Sequence, residues 1–110
     1  LLKAIAVLPI SYLQARRIIK EFKPDIIFGV GGYVTGPVIL AASHMDIPVV
    51  IHEQNSVPGL ANRKMARFAD RVCLSLPGSG DLFPEHKVVY TGNPVRHAIR
   101  QLTAQCKPQA

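Results

Sequence analysis

The chain has 110 residues, 48% hydrophobic and 18% charged, with 13 Lys and Arg against 7 Asp and Glu for a formal charge of +6. That is enough apolar material for one small core, and it excludes a disordered tail. The basic groups do not form one stripe with interleaved aromatics, which argues against a nucleic-acid binder, and no run nears the ~20 apolar residues of a bilayer span.

Leu1 already lies in an apolar run, LLKAIAVL, so the chain is expected to start within an element of a longer protein. No cleavage-site pattern follows that run, and no targeting segment is read. Apolar residues at Ile10, Leu13, Ala15, Ile18, Ile19 and Phe22 follow a 3.6-residue period, with Arg16, Arg17 and Lys20 outside it, and predict a helix over 10–22. Lys23-Pro24 ends it, because a residue before proline avoids the helical region. Asp25-Ile26-Ile27-Phe28 reads as a strand covered on both faces. A glycine-rich stretch follows, then a helix over 38–45 with Pro37 in its first turn. Pro48–Ile51 is the second buried strand, and the polar string His52-Glu53-Gln54-Asn55 is expected to follow it as a loop. A helix over 60–68 and a strand over 71–76 come next, then a turn-rich stretch at 77–86, a strand over 87–90 and a short helix opening at Asn93-Pro94. The tail from Gln101 to Ala110 shows no period and reads as frayed. Cys73 in an apolar run and Cys106 in the tail make no disulfide framework, so a reduced, cytosolic compartment is the simpler inference.

Strands alternating with helices at this spacing predict an α/β fold, a Rossmann-like parallel sheet with flanking helices. In such sheets ligands bind beyond the carboxyl ends of the strands. Three polar loops are expected on that edge. In Gly29-Val30-Gly31-Gly32-Tyr33-Val34-Thr35-Gly36-Pro37, paired glycines permit close backbone approach, and the helix that follows directs amide dipoles at the same space, which suits a phosphate or diphosphate. The spacing matches neither a Walker loop nor the dinucleotide fingerprint. In the second loop, Glu53 has two open roles, general base or loop anchor, and His52 would hold it or donate to a substrate oxygen. Gln54 and Asn55 suit the reading of hydroxyls or a base edge. In the third, Asn93 reads as an N-cap, which puts Arg96 in the first helical turn, where a cation is unfavourable unless an anion lies nearby. No metal-ligand cluster and no nucleophile elbow are found, and no cofactor is expected.

The strings KPDIIFGVGGYVTGP, IPVVIHEQN and TGNPVR, in this order, closely resemble the bacterial N-acetylglucosaminyltransferases of the MurG family, from about Gln14 to Arg100. The resemblance implies an inverting hexosyltransferase of the two-domain GT-B type. It would act without metal, transferring N-acetylglucosamine from UDP-N-acetylglucosamine to lipid I to form lipid II in peptidoglycan synthesis. It makes residues 1–100 the second half of the N-terminal, acceptor-side domain. By the same likeness Gly31, Gly32, Tyr33 and Thr35 hold the lipid I diphosphate, and Asn55 and Arg96 bind the sugar nucleotide. His52, Glu53 and Gln54 would line the site. The family's first glycine loop, with its proposed catalytic histidine, and its C-terminal domain have no counterpart in the 110 residues, so the isolated chain is expected to be inactive. The family works peripherally at the cytoplasmic face of the inner membrane. Leu1, Leu2, Ile5, Val7, Leu8 and Ile10 with Arg16, Arg17 and Lys20 form either part of that surface or ordinary packing. Two other readings compete: a non-catalytic, membrane-associated half of a split glycosyltransferase, and a dinucleotide oxidoreductase, which the glycine spacing disfavours.

Overall fold

A computed structural model describes residues 2–106. Helix α1 spans Leu2–Phe22, strand β1 Ile27–Gly29, α2 Thr35–His44, β2 Val49–Glu53, α3 Leu60–Met65 and β3 Arg71–Leu74. Two short 3-10 turns, Ser79–Leu82 and Glu85–Lys87, lead into β4, Val88–Tyr90, and α4 closes the order at His97–Gln105. The four strands pair in sequence order, all parallel. The predicted Rossmann-like α/β sheet is therefore the observed one.

With neighbours in chain order and crossovers of one hand, every connection passes over the same face of the sheet. Burial follows that geometry. Val49, Ile51, Val72 and Leu74 point to the helix side and are fully buried with Ile39, Ala41 and Ala42 of α2. Fully burying such an aliphatic side chain is worth about 1.5–3 kcal/mol, so the α2–β2–β3 contact dominates the core. The opposite face is open: Phe28 is 58% and Val89 42% exposed, and Cys73 is half-buried between them. A strand covered on both faces was expected at β1, but only its helix side is packed.

Helix α1 begins well before Ile10 and runs through Pro9. It packs on α2 through Ala15 and Ile19, one turn apart, with Tyr12 half-buried beside them. The other apolar positions of its stripe stay in solvent, with Leu13 64%, Ile18 63% and Phe22 78% exposed. Lys23, at φ 52°, turns the chain out of the helix, and its N–H donates to Ile19 O at 2.8 Å. Asp46, at φ 57°, does the same after α2. Two boundaries shift in ways that affect the site. Strand β2 continues through His52 and Glu53, which belong to the sheet rather than to a following loop. Helix α4 starts at His97, with Arg96 as its N-cap, so Asn93 caps nothing. The same helix extends to Gln105, past the Gln101 where the sequence reads as frayed; residues 107–110 lie outside the described residues.

Candidate functional site

The carboxyl edge of the sheet carries the ends of β1, β2 and β4. After β1 the chain turns at Gly31 and Gly32, with φ of 102° and 89°, a region open to glycine at little cost. Thr35 fixes this turn twice: its Oγ1 donates to Gly31 O, and its N–H donates to Gly32 O at 3.3 Å. Gly29 is required for a different reason. A Cβ there would stand 2.7 Å from Thr35 Cγ2 and 3.1 Å from Ile39 Cδ1, so its absence lets α2 lie close on the strand end.

The end of β2 is organised around one carboxylate. Glu53 is 1% exposed and accepts four hydrogen bonds. Its Oε1 takes the Asn55 N–H and Asn55 Nδ2, both at 3.0 Å. Its Oε2 takes the Gly59 N–H at 3.0 Å and Asn62 Nδ2 at 2.9 Å. Burial pushes this carboxyl up, but the donors from Asn55, Asn62 and Gly59 together outweigh it and hold the group below the ordinary carboxylate range. An ionised carboxylate with two donors on each oxygen is an anchor, and of the two roles left open for Glu53 this geometry favours that one. It locks the 53–59 turn and presents Asn55, which is exposed, from a fixed base.

His52 is 3% exposed, and its Nε2 lies 3.0 Å from Gly92 O. A carbonyl can only accept, so Nε2 carries the proton and donates it there. His52 thus ties the end of β2 to the loop after β4, where the Thr91 and Gly92 N–H groups also donate to Leu74 O. Gln54 ties β2 to the glycine loop, its Nε2 donating to Val30 O at 3.1 Å.

The structure brings Gly31, Gly32, Thr35, His52, Glu53, Gln54 and Asn55 to one edge. Tyr33 stands apart, 97% exposed at the tip of the glycine loop. Arg96 is exposed at the start of α4, beyond the end of β4. One residue at the centre was missed from sequence. Asn62 of α3, 4% exposed, donates from Nδ2 to His52 O and Glu53 Oε2, and a Cβ on Gly31 would lie 3.4 Å from that same nitrogen. The available signal was an amide side chain seven residues after Asn55 on an otherwise amphipathic helix. No three His, Cys, Asp or Glu side chains cluster as metal ligands among the described residues. No described helix is long and apolar enough to cross a membrane.

Comparison with known proteins agrees with this architecture. Residues 1–74 match the glycosyltransferase family 28 N-terminal domain. The UDP-N-acetylglucosamine--N-acetylmuramyl-(pentapeptide) pyrophosphoryl-undecaprenol N-acetylglucosamine transferase of Desulfotalea psychrophila is 59% identical over 107 residues, covering 97% of this chain and 29% of that protein. The protein of the same name from Geobacter sulfurreducens is 47% identical over 102 residues, 93% of this chain and 28% of its own length. The crystal structure of Acinetobacter baumannii MurG superposes with a TM-score of 0.68 at 44% identity, covering 80% of this chain and 26% of that one. The chain thus spans less than a third of the length of these relatives. With its parallel sheet, its glycine turn and its matched first 74 residues, the chain belongs to glycosyltransferase family 28, in the N-terminal domain of its MurG branch.

Proposed function

We propose that the full-length protein carrying this chain transfers N-acetylglucosamine from UDP-N-acetylglucosamine to lipid I, giving lipid II and UDP. In this reading the chain is the second half of the acceptor-side domain. The observation that carries it is the pairing, on one sheet edge, of a glycine turn with a rigidly held amide, Asn55, next to it in the fold. The carbonyls of Gly31 and Gly32 are both occupied by Thr35, which leaves the turn's N–H groups for an anion. Two phosphates of the acceptor fit that chemistry, with Tyr33 at the rim.

On the donor side, Asn55 offers an amide to the sugar nucleotide, and Arg96 offers a charge to its diphosphate. Inversion follows if the acceptor hydroxyl attacks the anomeric carbon opposite the leaving UDP. The carbon–oxygen bond to the diphosphate breaks, the electron pair leaves with UDP, and the hydroxyl proton goes to a base. Neither candidate here is suited to that step. Glu53 has both oxygens filled, and His52 Nε2 carries a proton directed at Gly92.

An apolar groove of about 730 Å³ runs between α1 and the glycine loop, lined by Val7, Leu8, Ile18, Tyr33 and Val34 among others. Arg16, Arg17 and Lys20 are exposed on the same helix. A peripheral seat on the cytoplasmic face of the inner membrane uses both features: apolar side chains meet the lipid and basic ones its head groups. The lipid tail of the acceptor would leave the loop along this groove. The test is transfer itself. Purified full-length protein given UDP-N-acetylglucosamine and lipid I should form lipid II, and the 110-residue chain alone should form none. A folded full-length protein that makes no lipid II contradicts the proposal.

A further inference from the structure

The segment that carries Arg96 leaves the sheet at a single turn. Past β4 the N–H groups of Thr91 and Gly92 both donate to Leu74 O, at 3.1 and 3.2 Å. Gly92, at φ 72°, then turns the chain away. From Asn93 to Arg96 no hydrogen bond runs back to the sheet or its helices among the described residues, and every residue from Thr91 to Cys106 is exposed. The hydrogen bonds of α4 are its own: Ile99 and Arg100 N–H close on Arg96 O, Gln101 reaches His97, and Thr103 reaches Ile99. Where Arg96 stands relative to Asn55 is therefore decided at Gly92. At about 3.3–3.6 Å per residue, the four residues to Arg96 reach up to about 14 Å, so a swing of about 15° at Gly92 displaces Arg96 by about 3–4 Å, a whole hydrogen-bond length.

One side chain of the core holds that turn by its carbonyl. His52 Nε2 donates to Gly92 O at 3.0 Å, and the residue is only 3% exposed, so water competes poorly for the bond. Thr91 Oγ1 also donates to Gly92 O, at 3.1 Å, but from within the same loop. The imidazole itself is well fixed. Its backbone pairs in register with Cys73 in β3, Ser75 Oγ lies 3.4 Å from Nε2, and the Phe28 ring stands beside it with centroids 6.3 Å apart. A buried polar ring in a strand is costly unless it is bonded, and the carbonyl it is aimed at belongs to the loop that leads to Arg96.

We propose that His52 is a positioning residue for the sugar-nucleotide subsite: it clamps the Gly92 turn and so sets where Arg96 meets the diphosphate, without touching substrate itself. The inference rests on the assignment of Arg96 to the sugar nucleotide.

The experiment uses the full-length protein with UDP-N-acetylglucosamine and a soluble lipid I analogue. It measures both KM values in a double-mutant cycle with Arg96→Ala. His52→Leu fills the space without a donor. It should raise the KM for UDP-N-acetylglucosamine by about tenfold and leave that for lipid I within about twofold of wild type. His52→Gln places an amide nitrogen as many bonds from Cα as Nε2 is, and should bring the donor KM back to within about threefold of wild type. Gly92→Ala loosens the same clamp from the surface, where a Cβ meets nothing within 4 Å but the positive φ disfavours any side chain. It should raise the donor KM about fivefold, and it keeps the test open if His52→Leu fails to fold. With Arg96→Ala already in place, His52→Leu and Gly92→Ala should each add less than about twofold, because the group they position is gone. The clamp is overturned if either raises the donor KM as far in that background as with Arg96 present, or raises both KM values alike. It is equally overturned if both variants fold and leave the donor KM at the wild-type value. Arg96→Ala alone checks the underlying assignment. If it leaves the donor KM unchanged, Arg96 is no donor contact and the premise fails, an outcome distinct from a failure of His52.

Discussion

Replacing Glu53 with glutamine changes one oxygen to an NH2 group and little else in shape. Each Glu53 oxygen receives two donors, so either orientation of the new amide sets its nitrogen against two N–H groups. The less costly orientation faces Asn55, whose side chain is exposed and can turn to water; the other would face Asn62 and the Gly59 N–H in a buried site. Even then one backbone donor loses its acceptor, and the remaining bonds lose the strengthening that a full charge gives. At about 1–3 kcal/mol for an abandoned buried group and a smaller amount for each weakened bond, Glu53→Gln should cost about 2–4 kcal/mol. Urea unfolding of the full-length protein, wild type against variant, reads this directly. A loss below about 0.5 kcal/mol, in the range of ordinary surface substitutions, together with a hundredfold or greater fall in kcat, would refute the anchor and restore Glu53 as a general base.

The same carboxylate makes stability depend on acid. Its folded pKa lies below the ordinary value, so the stabilisation is complete above the unfolded pKa and is lost as pH falls through the folded one. Unfolding free energy measured from pH 7 downward should therefore fall less steeply in Glu53→Gln than in wild type; parallel curves would contradict the assignment. Gly29→Ala should destabilise by about 1–3 kcal/mol, because the new methyl would meet Thr35 and Ile39 in packed surroundings. A thermal unfolding midpoint equal to wild type would show that α2 can move off the strand end freely.

Much of the fold was legible because apolar runs and proline–glycine punctuation fall at strand and helix ends. The runs IIF, VVI and VCL and the Lys23-Pro24 stop all mark real elements or their edges. The boundary at β2 was not legible. His52 and Glu53 are polar, so they read as loop, yet they sit in the sheet because their partners, Gly92, Gly59, Asn55 and Asn62, satisfy them there. Gly92 is distant in sequence, Asn55 and Gly59 lie in an irregular segment, and Asn62 is a single amide on a short helix, so periodicity carries no signal of any of them. Helix α1 misled in the other direction. Its apolar stripe over residues 10–22 implies one buried face, whereas within that stretch only Ala15 and Ile19 are buried, and the larger Leu13, Ile18 and Phe22 remain in solvent. Periodicity reports which residues are apolar; it does not tell what covers them. The glycine loop and Asn55 stood out from local chemistry. Asn62 did not, since a single amide in an amphipathic helix looks like any other polar position until the fold sets it beside Glu53.

The most direct test of the central claim, that this edge presents separate donor and acceptor subsites, is the pair of KM values in Arg96→Ala and Tyr33→Ala of the full-length protein. Arg96→Ala should raise the KM for UDP-N-acetylglucosamine by about tenfold or more, the loss of one charge-assisted contact, and leave that for lipid I nearly unchanged. Tyr33→Ala should do the reverse. If the two substitutions move both constants alike, or each moves the other's substrate, the division of the edge into these subsites is wrong.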